Sequence, residues 1–250
     1  MARALVTLLT DFGTADGYVA EMKGVLLTGA PDTTLIDIAH DLPPQDVDAG
    51  RLALARYWKR FPEGTIHVAV VDPGVGSGRS ALAVESQRRY LVGPDNGVLS
   101  PALLAPGVRV VRLAIPGGTS NTFHGRDVFA PAAIHLALGQ SFDALGPPIT
   151  DPVIRRTPEA HRAADGSVVG QVVTIDRFGN AITNLLGVRG GAVVVAGRAI
   201  PVRRVYADVA PGEPLALAGS SGLLEIAVRD GSAAALLGIV RGAPVAHRAG

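Results

Sequence analysis

The sequence predicts an α/β protein in which an N-terminal, mostly parallel sheet flanked by helices precedes a smaller C-terminal antiparallel β-barrel domain. Up to residue 147, short aliphatic runs alternate with segments of helical periodicity, which is typical of a parallel sheet with crossover helices. Beyond it, strand-like runs separated by glycine turns indicate a small barrel or sandwich. Aromatic residues are only 4% of the chain, so the core is expected to be aliphatic.

The N-terminal elements follow from apolar periodicity and from glycine and proline stops. The first helix is expected at residues 18–27, with Gly29 ending it and Pro31 beyond. Two further helices are expected at 46–60 and 128–138, the last with Asp127 near its start and Gly139 at its end. Strands are expected at residues 4–9, 34–38, 65–71, 81–86, 89–92 and 108–113.

Four prolines between residues 147 and 158 interrupt all periodicity and indicate a domain boundary near residues 150–165. We therefore divide the chain into an N-terminal α/β domain, 1–155, and a C-terminal β-barrel domain, 156–250. Strands of the second domain are expected at residues 166–175, 192–195, 199–205, 214–218, 223–228 and 234–240.

Composition excludes several classes of protein. The net charge is +1 and no basic stripe occurs, which argues against a nucleic-acid partner. Cysteine is absent, which excludes disulfides and thiolate metal sites and suits a reducing compartment. No apolar run approaches the ~18 residues of a membrane span, and the N-terminus lacks a signal-peptide pattern. We expect a cytoplasmic protein without a membrane partner, and the positive mean hydropathy indicates a subunit interface.

The first polar cluster follows the first expected strand. A carboxylate there, Asp11, lies where parallel sheets bind ligands and could accept hydrogen bonds from a ribose diol. An ordinary turn residue or helix cap is an equally good interpretation. Asp16, in the same loop, adds a second carboxylate that could meet a cation.

The loop from Asp72 to Arg79 follows the third expected strand and contains three glycines. Asp72 and Arg79 are seven residues apart, which lets the carboxylate and the guanidinium turn back towards each other. A phosphate loop does not fit, because no Lys-Ser or Lys-Thr follows the glycines. A dinucleotide-binding fingerprint does not fit either, because the third glycine comes one residue too early. A plain ion pair that stabilises the loop is the alternative.

His124 begins a third polar segment, His124-Gly125-Arg126-Asp127, just before a helix. A lone histidine is more often structural than catalytic. A metal site built from Asp11, Asp72 and His124 is conceivable, but the closely spaced histidine pair that zinc sites use is missing. The other histidines are interpreted as non-catalytic: His40, His67, His135, His161 and His247.

The last clusters lie in the C-terminal half. Phe178 offers a flat face for a purine, and Asn180 can pair with an adenine edge. The turn that contains Ser220 and Ser221 between two glycines suits a carboxylate held by backbone amides. An ordinary hairpin explains that turn equally well.

Six motifs in order resemble the S-adenosyl-L-methionine (SAM) hydroxide adenosyltransferases, relatives of the enzymes that fluorinate or chlorinate the same molecule. The match covers nearly the whole chain. The motifs are Thr10-Asp11-Phe12-Gly13, Asp72-Pro73-Gly74-Val75-Gly76, Gly93-Pro94-Asp95-Asn96-Gly97, Phe123-His124-Gly125-Arg126-Asp127, Asp176-Arg177-Phe178-Gly179-Asn180 and Ser220-Ser221-Gly222.

The resemblance implies a homotrimer with each active site between the N-terminal domain of one subunit and the C-terminal domain of the next. It also implies hydrolysis of SAM to adenosine and L-methionine, with no metal and no cofactor beyond the substrate. The implied catalytic triad is Asp72, Arg79 and His124. The implied substrate contacts are Asp11 for the ribose diol, Asp176 and Asp16 for the methionine amino group, Asn180, Phe178 and Tyr206 for adenine, Ser220 and Ser221 for the methionine carboxylate, and Phe123 beside the triad.

The halogenating relatives differ from this chain at the expected site. They resemble it but carry tyrosine at the position of Asp72 and arginine at that of Ser221, and the fluorinating ones carry tryptophan at Gln45 and serine at Gly125. A carboxylate at position 72 would repel a halide. Three alternatives to hydrolysis stay open: a non-catalytic adenosine or SAM binder, a SAM-dependent halogenase and a metal-dependent hydrolase.

Overall fold

A computed structural model describes residues 3–249 as two compact units, one ending at Arg156 and the other beginning at Thr157. The first unit contains a six-stranded sheet of order β2-β1-β3-β5-β4-β6. The strands β2, β1, β3 and β5 are parallel, and β4 runs antiparallel between β5 and β6. The strands are β1 Leu5–Thr10, β2 Thr34–Ala39, β3 Ile66–Val70, β4 Ala81–Ser86, β5 Arg89–Pro94 and β6 Arg109–Leu113.

Helices cover both faces of this sheet, and each face has its own aliphatic core. The helices are α1 Tyr18–Gly29, α2 Val47–Tyr57, α3 Ser100–Leu103 and α4 Ala130–Ala137. One core includes Met22 of α1 and Ala133 of α4, and the other includes Leu54 of α2 and Ala102 of α3. Strands buried on both faces read as continuous apolar runs, which is why the sequence predicts them well.

Two threonines of β1 are completely buried, and each pairs with a histidine, one on β3 and one directly after β2. The hydroxyl of Thr7 lies 2.8 Å from Nδ1 of His67, and the hydroxyl of Thr10 lies 2.8 Å from Nδ1 of His40. Within residues 3–249, Nε2 of His67 and the hydroxyl of Tyr57 are buried without a hydrogen-bond partner.

The second unit is an antiparallel sheet of order β11-β10-β14-β8-β9-β13-β12, with β7 added beside β8. A bridge between Val202 and Ala216 joins the end of β11 to β12, so the sheet nearly closes into a barrel. Together with the mostly parallel first sheet, this confirms the predicted fold class. The elements are β7 His161–Arg162, β8 Val168–Ile175, β9 Ala181–Leu186, β10 Ala192–Val195, β11 Arg198–Pro201, β12 Pro214–Ala218, β13 Leu223–Val228, α5 Ala233–Leu237 and β14 Pro244–Arg248.

One predicted strand is wrong: residues 234–240 contain the helix α5. Ser232 caps its N-terminus by accepting a hydrogen bond from the Ala235 amide, and Gly238 ends it with φ of +64°. The strand expected at 199–205 ends at Pro201, and the elements that were not predicted are α3, β7, β9 and β14. The helix expected at 46–60 becomes 3₁₀ from Trp58, and a π-helical turn, Gly125–Phe129, precedes α4. No helix within residues 3–249 is long and apolar enough to cross a membrane.

Candidate active site

The loops that carry the predicted N-terminal site residues leave the same edge of the parallel sheet. Asp11 follows β1 and Asp72 follows β3, and these strands are paired so that Thr10 lies opposite Val70. Asn96, after β5, donates from its side-chain amide to the Val71 carbonyl at 2.8 Å and so holds the end of β3. This edge, at the carboxyl ends of the strands, is where open α/β sheets bind ligands.

The centre of the site is a hydrogen-bonded chain of Asp72, Arg79 and His124. Nε of Arg79 donates to Oδ1 of Asp72 at 2.9 Å, and Nη2 donates to the other carboxylate oxygen. The same Nη2 lies 2.9 Å from Nδ1 of His124, and all three side chains are largely buried. The expectation that the carboxylate and guanidinium meet across the glycine loop is therefore confirmed.

Arg79 determines which nitrogen of His124 carries the proton. A guanidinium has donors and no acceptor, so Nδ1 must accept and the neutral ring holds its hydrogen on Nε2. Burial lowers the pKa of His124, and the positive charge of Arg79 lowers it further. At neutral pH the three linked side chains are thus one carboxylate, one guanidinium and one neutral imidazole, and together they carry no net charge.

Close backbone packing joins the loop of Arg79 to the loop of His124. Gly76 has φ of +75°, and a Cβ there would collide with the Asn121 carbonyl oxygen. Gly125 is confined less severely, because its Cβ would lie 3.1 Å from Sδ of Met22, a side-chain atom. The π-helical turn that begins at Gly125 follows His124 directly, and such turns are frequent at functional sites.

Phe123 lies in a cluster of three aromatic rings next to the triad. Phe12, Tyr18 and Phe123 contact one another edge to face, with ring centroids 5.5–6.2 Å apart. Arg126 lies over the ring of Phe123 at 4.9 Å and also pairs with Asp127. The Arg126–Asp127 part of this motif therefore supports the loop rather than extending the triad.

The two remaining N-terminal candidates differ in how firmly they are held. Asp11 is half-buried, and its Oδ2 accepts a hydrogen bond from the backbone N–H of Gln45 at 2.7 Å. Gln45 adopts φ of +65°, a left-handed conformation that is uncommon outside glycine. Asp16 lies exposed in the next turn.

In the C-terminal unit, Asp176 organises the turn between β8 and β9. Its Oδ1 accepts from the backbone amides of Phe178 and Asn180, each at 2.9 Å. Its Oδ2 accepts from the side-chain amide of Asn180 at 3.0 Å, so one of the two amide hydrogens of Asn180 is already used. The ring of Phe178 is left 76% exposed, as a free aromatic face.

The other C-terminal candidates surround a carboxylate that the sequence analysis missed, Glu225 on β13. The Tyr206 hydroxyl donates to Oε2 of Glu225 at 3.4 Å. A Cβ on Gly219 would collide with Oε1 of the same residue, so Glu225 packs on the turn that presents the exposed Ser220 and Ser221. Burial raises the pKa of Tyr206, and the charges of Glu225 and Asp176 raise it further.

Metal chemistry has no obvious centre among the described residues. In the range 3–249, no three histidine, aspartate or glutamate side chains are grouped so that they could hold an ion. The acid of the triad is instead occupied by a guanidinium through two hydrogen bonds.

These features define a class: α/β proteins with an Asp–Arg–His chain at the strand ends and a second, barrel-like unit. Models of the SAM hydroxide adenosyltransferase N-terminal and C-terminal domains match residues 6–146 and 170–246. The chain therefore belongs to the SAM hydroxide adenosyltransferase family.

Known relatives extend this comparison over nearly the full length. The chain is 48% identical to an (R)-S-adenosyl-L-methionine hydrolase of Thermus thermophilus, covering 96% of this chain and 98% of that protein. It is 28% identical to a fluorinase of Nocardia brasiliensis over 90% of each chain. The crystal structure of an uncharacterized conserved protein from Thermotoga maritima matches with a TM-score of 0.89 at 32% identity, covering 97% of this chain and 100% of that one.

Proposed function

We propose that this protein hydrolyses SAM to adenosine and L-methionine. Water attacks C5′ of the ribose, the C5′–O bond forms as the C5′–S bond breaks, and the bonding electron pair leaves on the methionine sulfur. The water protons remain on the 5′-hydroxyl and in solvent. The observation that carries the proposal is the Asp72–Arg79–His124 chain in a protein 48% identical to an (R)-S-adenosyl-L-methionine hydrolase.

In this proposal the triad orients the nucleophile and does not remove its proton. With Nδ1 engaged by Arg79, the neutral His124 offers an N–H donor that holds a water or hydroxide oxygen. Asp72 neutralises Arg79, so the site does not repel a sulfonium cation. Orientation and fixed dipoles of this kind reduce the barrier without reorganisation during the reaction.

The substrate contacts proposed from the resemblance are divided between the two units. Asp11, Asp16 and Phe123 belong to the first unit, and six residues belong to the second: Asp176, Phe178, Asn180, Tyr206, Ser220 and Ser221. We further propose a homotrimer that brings these sets together between neighbouring subunits, acts without a metal and works in the cytoplasm. The chain has no cysteine, so its fold needs no disulfide and is compatible with a reducing compartment.

Incubation of the purified protein with SAM in ¹⁸O-labelled water tests the reaction. The expected products are L-methionine and adenosine with one ¹⁸O atom at the 5′-hydroxyl, in amounts unaffected by EDTA. The (R)-sulfonium epimer is the expected substrate. Tight SAM binding without product would instead establish a binding protein, and a 5′-halogenated nucleoside formed in chloride or fluoride would establish a halogenase.

Subunit mixing tests the shared site. Chains carrying Asp72→Ala and chains carrying Asp176→Ala are expected to be inactive separately. In mixed trimers, some sites combine an intact N-terminal unit with an intact C-terminal unit, so activity should return in part. Two inactive variants that stay inactive in mixed trimers would contradict a site formed between subunits.

A further inference from the structure

A chain of hydrogen-bonded polar side chains, buried except at its outer carboxylate, lies behind Asp11, in a part of the molecule that the proposed reaction does not use. It runs from Asp37 on β2 through His40 to Thr10 at the end of β1. Nε2 of His40 lies 3.0 Å from Oδ1 of Asp37, and Nδ1 lies 2.8 Å from the Thr10 hydroxyl. His40 is 6% exposed and Thr10 is fully buried.

The direction of each hydrogen bond follows from the carboxylate at the outer end. Burial alone would raise the pKa of Asp37, but hydrogen bonds from Lys23 and His40 outweigh it and hold the pKa below its usual value. The ionised Asp37 can only accept, so Nε2 of His40 donates to it. Nδ1 then accepts the Thr10 hydroxyl hydrogen, which leaves the Thr10 oxygen free to accept.

The inner end of this chain holds the loop that presents Asp11. The Thr10 oxygen accepts from the backbone N–H of Phe12 at 3.3 Å, and the His40 carbonyl accepts from the N–H of Gly13 at 2.8 Å. Thr10 and Gly13, on either side of Asp11, are therefore hydrogen-bonded directly to His40, and Phe12 is linked to it through the Thr10 hydroxyl. On the outer side, the N–H of Gln45 holds its carboxylate.

A hydroxyl, an imidazole and a carboxylate in sequence also have the geometry of a nucleophilic triad. That role does not fit here, because the Thr10 oxygen has no exposed surface and already receives a backbone hydrogen bond. The chain instead fixes the conformation of the Thr10–Gly13 loop.

We infer that His40, anchored by Asp37, is a positioning residue that holds Asp11 in the geometry required to grip the ribose diol. The inference rests on the proposed function, since it takes Asp11 as the diol acceptor. It makes His40 essential for nucleoside recognition although it lies too deep to touch a ligand. His40, which the sequence analysis interpreted as non-catalytic, thus gains a role through another residue.

Thr7, on the same strand β1 as Thr10, offers a matched control. Thr7→Val and Thr10→Val each remove one fully buried hydroxyl that lies 2.8 Å from a histidine Nδ1. Only Thr10 is tied to the loop of Asp11. Both variants should lose similar resistance to urea, so a difference in ligand recognition between them reports positioning rather than general loosening.

The test measures dissociation constants for adenosine and for 2′,3′-dideoxyadenosine, which lacks the diol. The wild type should prefer adenosine by about tenfold or more, as expected for hydrogen bonds to a charged acceptor. Thr10→Val should lose most of this preference, whereas Thr10→Ser, which keeps the hydroxyl, and Thr7→Val should retain it. Should Thr10→Val fail to fold, Asp37→Ala, a change at an exposed carboxylate, should reduce the preference in the same direction.

The outcomes separate this inference from the proposed reaction. Wild-type preference retained in Thr10→Val and Asp37→Ala would overturn the positioning role, even with SAM hydrolysis intact. A wild type that binds both nucleosides equally would overturn it by removing Asp11 from the diol. Absence of product from SAM in the wild type would count against the proposed function alone.

Discussion

Arg79 donates to Nδ1 of His124 at 2.9 Å while two of its nitrogens bind Asp72, so one guanidinium determines the tautomer of the histidine and, after burial, helps to keep its ring neutral. A positioned N–H on Nε2 follows from that contact, whereas a free imidazole would exchange between two tautomers. The chemistry expected of the site depends on this fork of donors.

Replacement of Arg79 by lysine should remove most of the activity although the positive charge remains. A single ammonium cannot reproduce the planar fork that contacts Asp72 and His124 together. We expect kcat for SAM hydrolysis to fall by about 100-fold, the usual scale for loss of one positioned donor. Adenosine release measured by chromatography checks this, with the exposed His161→Ala as the control that retains activity. Activity within a factor of about two of wild type would contradict the fork's role.

Acid should inactivate the enzyme through His124. Protonation of Nδ1 would place a second donor and a second positive charge against Arg79, and burial also opposes the charged ring. The pKa of His124 lies below its usual 6.5, so kcat/KM should be level at neutral pH and fall about tenfold per pH unit below that pKa. The profile is measured between about pH 5 and pH 8 with circular dichroism at each point. An acid limb centred above pH 6.5 would contradict the assignment.

A different histidine, His67, should control acid stability. Burial lowers the pKa of this fully buried ring to about 4, with a further contribution from Arg89, against 6.5 in the unfolded chain. The unfolded state therefore takes up the proton first. Stability is intact above about pH 6.5 and is lost as the pH falls towards 4, by about 3 kcal/mol in total. Urea unfolding of wild type and His67→Gln at both pH values checks this, and the variant should show a smaller acid loss.

Gly179 should be the costliest glycine to replace near the predicted adenine contacts. It has φ of +81°, and a Cβ would collide with the Ser232 hydroxyl. Gly166 has a similar φ of +83° but open space around it, so Gly166→Ala measures the backbone strain alone. We expect Gly166→Ala to lower the free energy of unfolding by about 1–2 kcal/mol and Gly179→Ala to lower it clearly more. Gly179→Ala should also weaken adenosine binding. Equal costs would show that the Ser232 contact relaxes freely.

Sequence reasoning succeeded where one physical signal dominates. Buried strands are marked by aliphatic runs bounded by turn residues, and the strands at 81–86, 192–195, 214–218 and 223–228 match the structure at both ends. The Asp72–Arg79 contact was foreseeable because both residues flank one glycine loop. Its continuation to His124 joins segments 45 residues apart and was expected only through the family resemblance.

The misses have local causes. The apolar run at 234–240 has no period that separates strand from helix, and the Ser232 cap and the alanines favoured the helix. Glu225 was overlooked because a single acid inside an apolar strand looks like a solvent-facing residue. His40 was set aside because its partners, Thr10 and Asp37, lie on two different strands.

The bare backbone at Gly76 has a consequence for anyone who wishes to redesign this enzyme. The Asn121 carbonyl occupies the space that a side chain at position 76 would need. The loop that carries Arg79 and the loop that carries His124 therefore depend on each other for their packing. If only one of the two loops were exchanged to build a new nucleophile pocket, the two backbones would no longer fit together at this contact. Grafts should carry both segments together and leave position 76 as glycine.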